Sequence, residues 1–315
     1  MSVEQQYRVL REELLKVIFG QDEAIDFALA ALFSCGHVLF EGPPGVAKTL
    51  LVRSMAAALQ LDCQRLQMTP DLLPTDITGA SIYREDSHTF EFRRGPVFAN
   101  FVLADEINRA SARTQSALLE AMQEGQVTYD GVQHRLPEPF VVFATQNPIE
   151  QDGTYPLPLA QLDRFMFNVR LGYPEAEDER RILREHHPTS GLSSPEQFRV
   201  TPVMNAQQIM EARNVIRETR VHDEVIEYAQ KLLHATRNDD SLSVGASPRS
   251  GLMLLMAAKS MARFANRDFV TPDDVKSVLL PVMRHRVVPS PTAELEGITT
   301  DDVLADIMDS VQAPR

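Results

Sequence analysis

Apolar residues open the chain at helical spacing. Tyr7, Leu10, Leu14, Val17 and Ile18 recur at mostly three- and four-residue steps, which predicts an amphipathic helix over residues 4–19 that Gly20 stops. Asp22 is placed to cap a second helix, roughly 22–34, rich in alanine and leucine. The period then changes. His37-Val38-Leu39-Phe40 is a continuous apolar run of strand length, as are Phe101-Val102-Leu103-Ala104 and Phe140-Val141-Val142-Phe143-Ala144. Unbroken runs of this length suit strands of a parallel sheet covered on both faces. Helical stretches at 49–60 and 111–124 separate them, so the first half reads as α/β with right-handed crossovers.

Two insertions interrupt this rhythm. Residues 79–98 carry Ser81-Ile82-Tyr83 and Thr89-Phe90-Glu91-Phe92 around a polar turn, and residues 126–136 set Asp130-Gly131 between alternating segments. Both predict β-hairpins projecting from the core. Beyond Gly172-Tyr173-Pro174 only helical signals remain, at 175–187, 205–218, 222–236, 248–265 and 272–286. Ser247-Pro248 and Thr271-Pro272 each place a capping side chain before proline at the first helical position. A Ser/Pro loop is expected at 187–200, and a polar stretch at 288–300 before a short helix near 301–311. The expected division is an α/β domain at 1–173, a helical lid at 174–287 and a tail with a short helix at 288–315.

Composition narrows the function classes. Lys+Arg 31 against Asp+Glu 44 leaves a formal charge of −13, which disfavours general affinity for nucleic acid or anionic membrane. Two cysteines, Cys35 and Cys63, exclude a disulfide framework and a cysteine-only zinc site, and no His pair has metal-ligand spacing. The first residues lack a basic-then-apolar leader, and the run 27–40 is too short and too interrupted to span a bilayer. A soluble, cytoplasmic protein is expected.

The chemistry begins at Gly42-Pro43-Pro44-Gly45-Val46-Ala47-Lys48-Thr49, between a strand and a helix. Glycines let backbone approach a phosphate chain, and the helix N-terminus supplies N–H groups with partial positive charge. Lys48 is placed to reach the β- and γ-phosphates and the Thr49 hydroxyl to bind Mg²⁺. Ala47 stands where the strict pattern has glycine; its methyl is tolerated if the residue already has first-turn helical geometry. A second strand ends in Asp105-Glu106. There Asp105 is the candidate Mg²⁺ carboxylate, acting through the ion's water shell, and Glu106 the group that orients and polarises the attacking water. A third strand runs into Ala144-Thr145-Gln146-Asn147-Pro148, where Asn147 either contacts the γ-phosphate or the attacking water, or only starts a turn.

These motifs, with Leu162-Asp163-Arg164-Phe165 and Gly245-Ala246-Ser247-Pro248-Arg249, resemble the MoxR family of AAA+ ATPases in the helix-2-insert clade, over about residues 3–287. Within that family the loop resembles GPPGxAKT, so Ala47 is no departure. The resemblance implies a P-loop AAA+ core with ATP and Mg²⁺ as cofactors. Residues 42–49 and Leu50 would hold the nucleotide, with the segment Val17, Ile18, Phe19 and Gly20 wrapping the base, Ile18 and Gly20 as its contacts; a helix ending in core residues is the other reading of that segment. Asn147 resembles sensor 1. Arg249 resembles sensor 2, which reaches the nucleotide of its own subunit. Arg164 resembles the arginine finger that reaches the neighbour's, unless it only forms a surface ion pair with Asp163. Both hairpins resemble insertions facing the pore of a ring, with six subunits implied. The implied function is a chaperone-like remodeller that couples ATP hydrolysis to assembly, activation or metal-cofactor insertion in client proteins, often beside a von Willebrand factor A domain protein. A nucleic-acid motor, a chelatase motor subunit and a non-hydrolysing scaffold are the alternatives. The nearly neutral hairpins argue against a phosphate-tracking channel.

Overall fold

The computed structural model describes residues 1–86, 88–147, 154–186 and 200–314. Helix α1 (Val3–Leu15) starts with a reciprocal cap between Ser2 and Gln5 and ends sooner than the apolar period suggests. Val17 and Ile18 continue into the core without helical geometry. Helix α2 (Asp22–Phe33) is preceded by Gln21 rather than capped by Asp22. Asp22 sits in the first turn, and its carboxylate accepts from Arg11 at 2.7 Å.

The chain then follows β1 (Val38–Glu41), α3 (Lys48–Leu59), β2 (Cys63–Gln67), α4 (Pro74–Thr78) and the hairpin β3 (Gly79–Arg84)–β4 (Thr89–Arg94). After these come β5 (Phe101–Asp105), α5 (Ala112–Glu124), the hairpin β6 (Gln126–Tyr129)–β7 (Val132–Arg135), β8 (Val141–Gln146), α6 (Leu159–Leu162) and β9 (Phe167–Arg170). Five of these strands form one parallel sheet in the order β2-β5-β8-β1-β9. Pleating divides its residues between two apolar layers. Val38 and Phe40 join one with α1–α3, while Leu39, Val102 and Val142 join the other with Leu118 and Leu119 of α5. Strand β2 escapes the apolar-run pattern because it is an exposed sheet edge, and β9, the other edge, because buried Asn168 interrupts it. β2 reads CQRLQ, and β9 reads FNVR.

Both hairpins form where the turns predict them, and they lean on each other. Phe92 of β4 stacks on His134 of β7 at 4.4 Å between ring centroids and on Tyr129 of β6 at 5.1 Å.

The second half contains α7 (Ala176–His186), α8 (Ala206–Arg217), α9 (Asp223–Asn238), β10 (Leu242–Val244), α10 (Pro248–Phe264), α11 (Pro272–Met283), β11 (Val288–Pro289), α12 (Pro291–Leu295) and α13 (Thr300–Ser310). It is not wholly helical, since β10 and β11 pair antiparallel. The stretch expected as a tail folds back instead. α13 buries Val303, Leu304 and Ile307 against this half, and its Asp301 accepts from Arg170 at the end of β9 at 3.0 Å. The Ser/Pro loop expected at 187–200 lies outside the described residues except for Val200.

The helical half shares one apolar core with the sheet. Tyr7 of α1 stacks on Phe264 of α10 at 4.0 Å, and Arg213 of α8 donates to the Leu32 carbonyl at 2.8 Å. Helix α7 lies apart from this packing and leans over the other side. There Arg181 covers the Phe19 ring at 4.1 Å, and Gly20 faces Pro174 and Asp178 so closely that a Cβ there would lie 2.9 Å from Pro174. No helix among the described residues is long and apolar enough to cross a membrane.

Candidate active site

In a parallel sheet every strand points its carboxyl end the same way, and loops leaving that edge converge on one crevice. Here β1 runs into the phosphate loop, β5 into Asp105 and Glu106, and β8 into Asn147. A cleft of about 980 Å³ opens between them, lined by residues 44–50, Asp105, Glu106, Thr145 and Asn147. Val17, Phe19 and Gln21 close it on one side, and Tyr173, Pro174 and the α7 residues Glu179, Ile182 and Leu183 on another.

The loop's backbone explains its sequence. Gly42 is pressed against β9, and a Cβ there would meet the Leu171 carbonyl oxygen at 2.3 Å. Gly45 has φ +85° and open space around its missing Cβ, on the side where a ligand approaches. Ala47 does not have first-turn geometry. It precedes the helix at φ 65°, ψ 14°, in the left-handed region. That is why the general pattern has glycine here, and alanine holds the conformation at a cost of ~1–2 kcal/mol. Lys48 opens α3 and donates to the Gly42 carbonyl at 2.7 Å, folding its ammonium back over the loop. Burial lowers its pKa, opposed by the carboxylates of Asp105, Glu106 and Glu41.

The acidic pair is held by residues to which the sequence reading gave no role. Thr145 joins both members: its hydroxyl donates to Asp105 Oδ1 at 3.3 Å and accepts the Glu106 N–H at 2.9 Å. Arg65 donates to Asp105 Oδ2 at 2.5 Å, while Gln67 at 3.1 Å and Arg109 at 2.9 Å donate to Glu106 Oε2. Glu106 itself is left-handed, at φ 57°. Arg65 and Gln67 were missed because β2 was missed; their two-residue spacing becomes informative only once the strand is known.

The donor set suits a nucleotide and a hard cation. The Thr49 hydroxyl and the Asp105 carboxylate are oxygen ligands of the kind Mg²⁺ takes, and it completes its shell with phosphate and water. Among the described residues no three His, Cys, Asp or Glu side chains gather to hold a metal alone. Of the segment expected at the base, Val17 and Phe19 line the cleft together with Gln21, whereas Ile18 is turned into the apolar core and Gly20 packs on α7.

Residues 37–167 match the ATPase family associated with various cellular activities, and residues 234–307 match the AAA lid domain. The uncharacterized Bacillus subtilis protein YeaC is 43% identical over 96% of this chain and 93% of its own length. The Mycobacterium tuberculosis chaperone MoxR1 is 41% identical over 96% of this chain and 81% of its own. The chain belongs to the MoxR family of AAA+ ATPases. A solved structure from Cytophaga hutchinsonii, named there as a candidate ATPase, superposes with a TM-score of 0.91 at 39% identity, covering 99% of this chain and 96% of that one. The fold is thus that of an AAA core followed by an AAA lid, and the lid match extends into α13.

Two arginines of this MoxR-family chain stand away from the cleft. Arg164 precedes β9, whose first residues pair beside His37 at the start of β1. It lines a shallow surface pocket of about 410 Å³ with Ser116, Glu120, Gln123, Glu124 and Gln161. Four residues of strand, roughly 13 Å, separate that edge from the phosphate loop. Arg249 is at the same edge. It does not line the cleft of its own subunit, contrary to the expectation from sensor 2; its Nε lies 3.8 Å from Asp163 Oδ2. Nor is Asp163 spent on Arg164. It accepts from Arg286 at 2.7 Å, and that buried guanidinium also donates to the backbone carbonyls of Asp163, Phe165 and Met166. Burial pushes the Arg286 pKa down to about 10 against the pull of Asp163. The lid is thereby bolted to the turn that carries Arg164.

Proposed function

We propose that this chain binds and hydrolyses ATP in the cleft and uses the cycle to remodel protein partners in the cytoplasm. The observation that carries the reading is the convergence of Lys48, Thr49, Asp105, Glu106 and Asn147 at one sheet edge, around glycine backbone that leaves room for phosphate. Lys48 and the N–H groups at the start of α3 bind the phosphates. Thr49 and Asp105 would hold Mg²⁺, which would supply positive charge against the phosphate oxygens. Glu106 orients the attacking water and accepts its proton, and Asn147 hydrogen-bonds the terminal phosphate or that water.

Arg164 and Arg249 share the edge remote from their own cleft, so they serve the nucleotide of an adjoining copy. A head-to-tail contact that repeats forms a ring when the rotation between copies closes, and a closed ring of six subunits is the reading taken from the family. The hairpins are the client-contacting elements. Phe90 is 74% exposed and Val132 56%, with Ile82 and Tyr83 beside Phe90 on the β3–β4 hairpin. Arg84 there is paired with Glu91 at 2.7 Å. Such apolar, charge-balanced tips suit polypeptide rather than a phosphate backbone. A von Willebrand factor A domain protein is the expected partner class.

The test is Glu106→Gln, which leaves phosphate binding intact and removes water activation. The variant should retain ATP as a stable assembly and recover protein in a pull-down. Recovery of nucleic acid, or wild-type ATPase stimulated by DNA, would replace the remodeller reading with a motor. Failure of the wild type to bind ATP would overturn both.

A further inference from the structure

Edge strand β2 sends two polar side chains from one face of its pleat toward the acidic pair, and Arg65 is the one that reaches Asp105. Its Nε lies 2.5 Å from Oδ2, and its Nη2 donates to Gln67 Oε1 at 3.4 Å. The other oxygen, Oδ1, is taken by Thr145. Both oxygens of the carboxylate assigned to Mg²⁺ therefore already have donors, and one donor is a full cation. The Asp105 side chain is 9% exposed, so leaving its charge bare is costly; Arg65 is 57% exposed, so its guanidinium can swing out freely.

Mg²⁺ reaching Asp105 through its water shell would stand close to the Arg65 guanidinium, and the repulsion between the two cations acts in the same sheltered setting as their attraction to Asp105. We propose that Arg65 is a resident counter-ion of the metal site: it neutralises and positions Asp105 while Mg²⁺ is absent and is displaced when the ion arrives. The strength of this one ion pair then sets how strongly Mg²⁺ and nucleotide favour each other's binding. Arg65 acts through Asp105 and is therefore a positioning residue. Its strand continues through Met68, whose N–H donates to the Asp105 carbonyl at 2.9 Å, toward α4 and the β3–β4 hairpin. Displacement of Arg65 is thus felt on the segment that leads to the client-contacting surface.

The inference rests on reading the cleft as a Mg-nucleotide site, and the test separates the two. Dissociation constants for a fluorescent ADP analogue are measured for wild type and Arg65→Ala, in EDTA and in saturating Mg²⁺. Removing an ion pair with one exposed partner should strengthen binding in Mg²⁺ on the order of fivefold, with the EDTA value unchanged. The gain should shrink as KCl is raised, because the lost competitor was a screened charge. An unchanged ratio between the two conditions overturns the proposal. So does weaker binding in both, which would mean that the guanidinium contacts phosphate. A wild type that binds ADP in neither condition overturns the site reading instead. Thermal melting of Arg65→Ala confirms that the exposed substitution leaves the fold intact.

Discussion

Replacing Ala47 by glycine changes one methyl and tests the backbone of the phosphate loop. In the left-handed geometry seen here an alanine costs ~1–2 kcal/mol that glycine does not pay. Against this, glycine loses more chain entropy on folding, roughly 0.5–1 kcal/mol. The half-buried methyl at the rim of the core contributes at most a fraction of the ~0.8 kcal/mol of a fully buried carbon. The sum runs from about −0.5 to about +1 kcal/mol, near zero or slightly in favour of Ala47→Gly at its centre. Had Ala47 been the first residue of the helix, as the sequence suggested, the same change would destabilise by about 1 kcal/mol. The left-handed geometry therefore predicts a near-neutral or stabilising change and the helical one a clear loss. Urea unfolding at constant m-value reads the difference as a shift in midpoint. Ala47→Val calibrates the scale, since a branched side chain is excluded from the left-handed region and should lower the midpoint clearly. A glycine variant less stable than wild type by about 1 kcal/mol would refute the left-handed assignment and the account of the loop built on it.

Three further outcomes follow. Buried His37 accepts the Val142 N–H on Nδ1 at 2.9 Å and is held neutral, its pKa pushed down by burial to about 4 from 6.5. The unfolded chain binds the proton first, so stability should fall as pH drops from about 6.5 to 4, by roughly 3 kcal/mol in all; His285, lowered in the same direction, adds to the slope, and a flat urea midpoint across that window would contradict it. Asp163→Ala leaves the Arg286 guanidinium buried without its carboxylate and should cost ~3–5 kcal/mol, part of which Asp163→Ala with Arg286→Met recovers; a double variant that loses as much as the two single variants together would show that the pair is not coupled. Phe90→Ser should shift stability by less than about 0.5 kcal/mol yet reduce the client protein retained by a Glu106→Gln trap, and undiminished retention would remove the hairpin tip from the client surface.

What the sequence made legible follows physical locality. The phosphate loop, the acidic strand end and the hairpin turns each need a few contiguous residues in one backbone shape, so their chemistry shows in order and spacing. Strand β2 lies at an exposed sheet edge and reads largely polar, while β9 at the other edge is buried but interrupted by Asn168, so neither carries a continuous apolar run. With β2 hidden, Arg65 and Gln67 had no visible path to Asp105 and Glu106. The side on which Arg249 lies depends on how the lid docks, through Arg286 on the 163–166 turn, and local pattern does not encode contacts between residues so far apart in the chain. Ile18 and Phe19 show the same limit at short range. Both are apolar neighbours at the end of a helix, and only the turn after Leu15 decides that one enters the core while the other faces the cleft.

The central claim is that each active site is completed across a subunit contact by the edge bearing Arg164. Arg164→Ala chains keep an intact cleft, and Glu106→Gln chains keep an intact Arg164 edge. Each variant alone should hydrolyse ATP poorly, and mixing them should restore activity, up to about a quarter of wild type at equal ratio, because one junction in four then pairs a working cleft with a working edge. Mixtures no more active than the sum of their parts would contradict the claim, as would an Arg164→Ala ring as active as wild type.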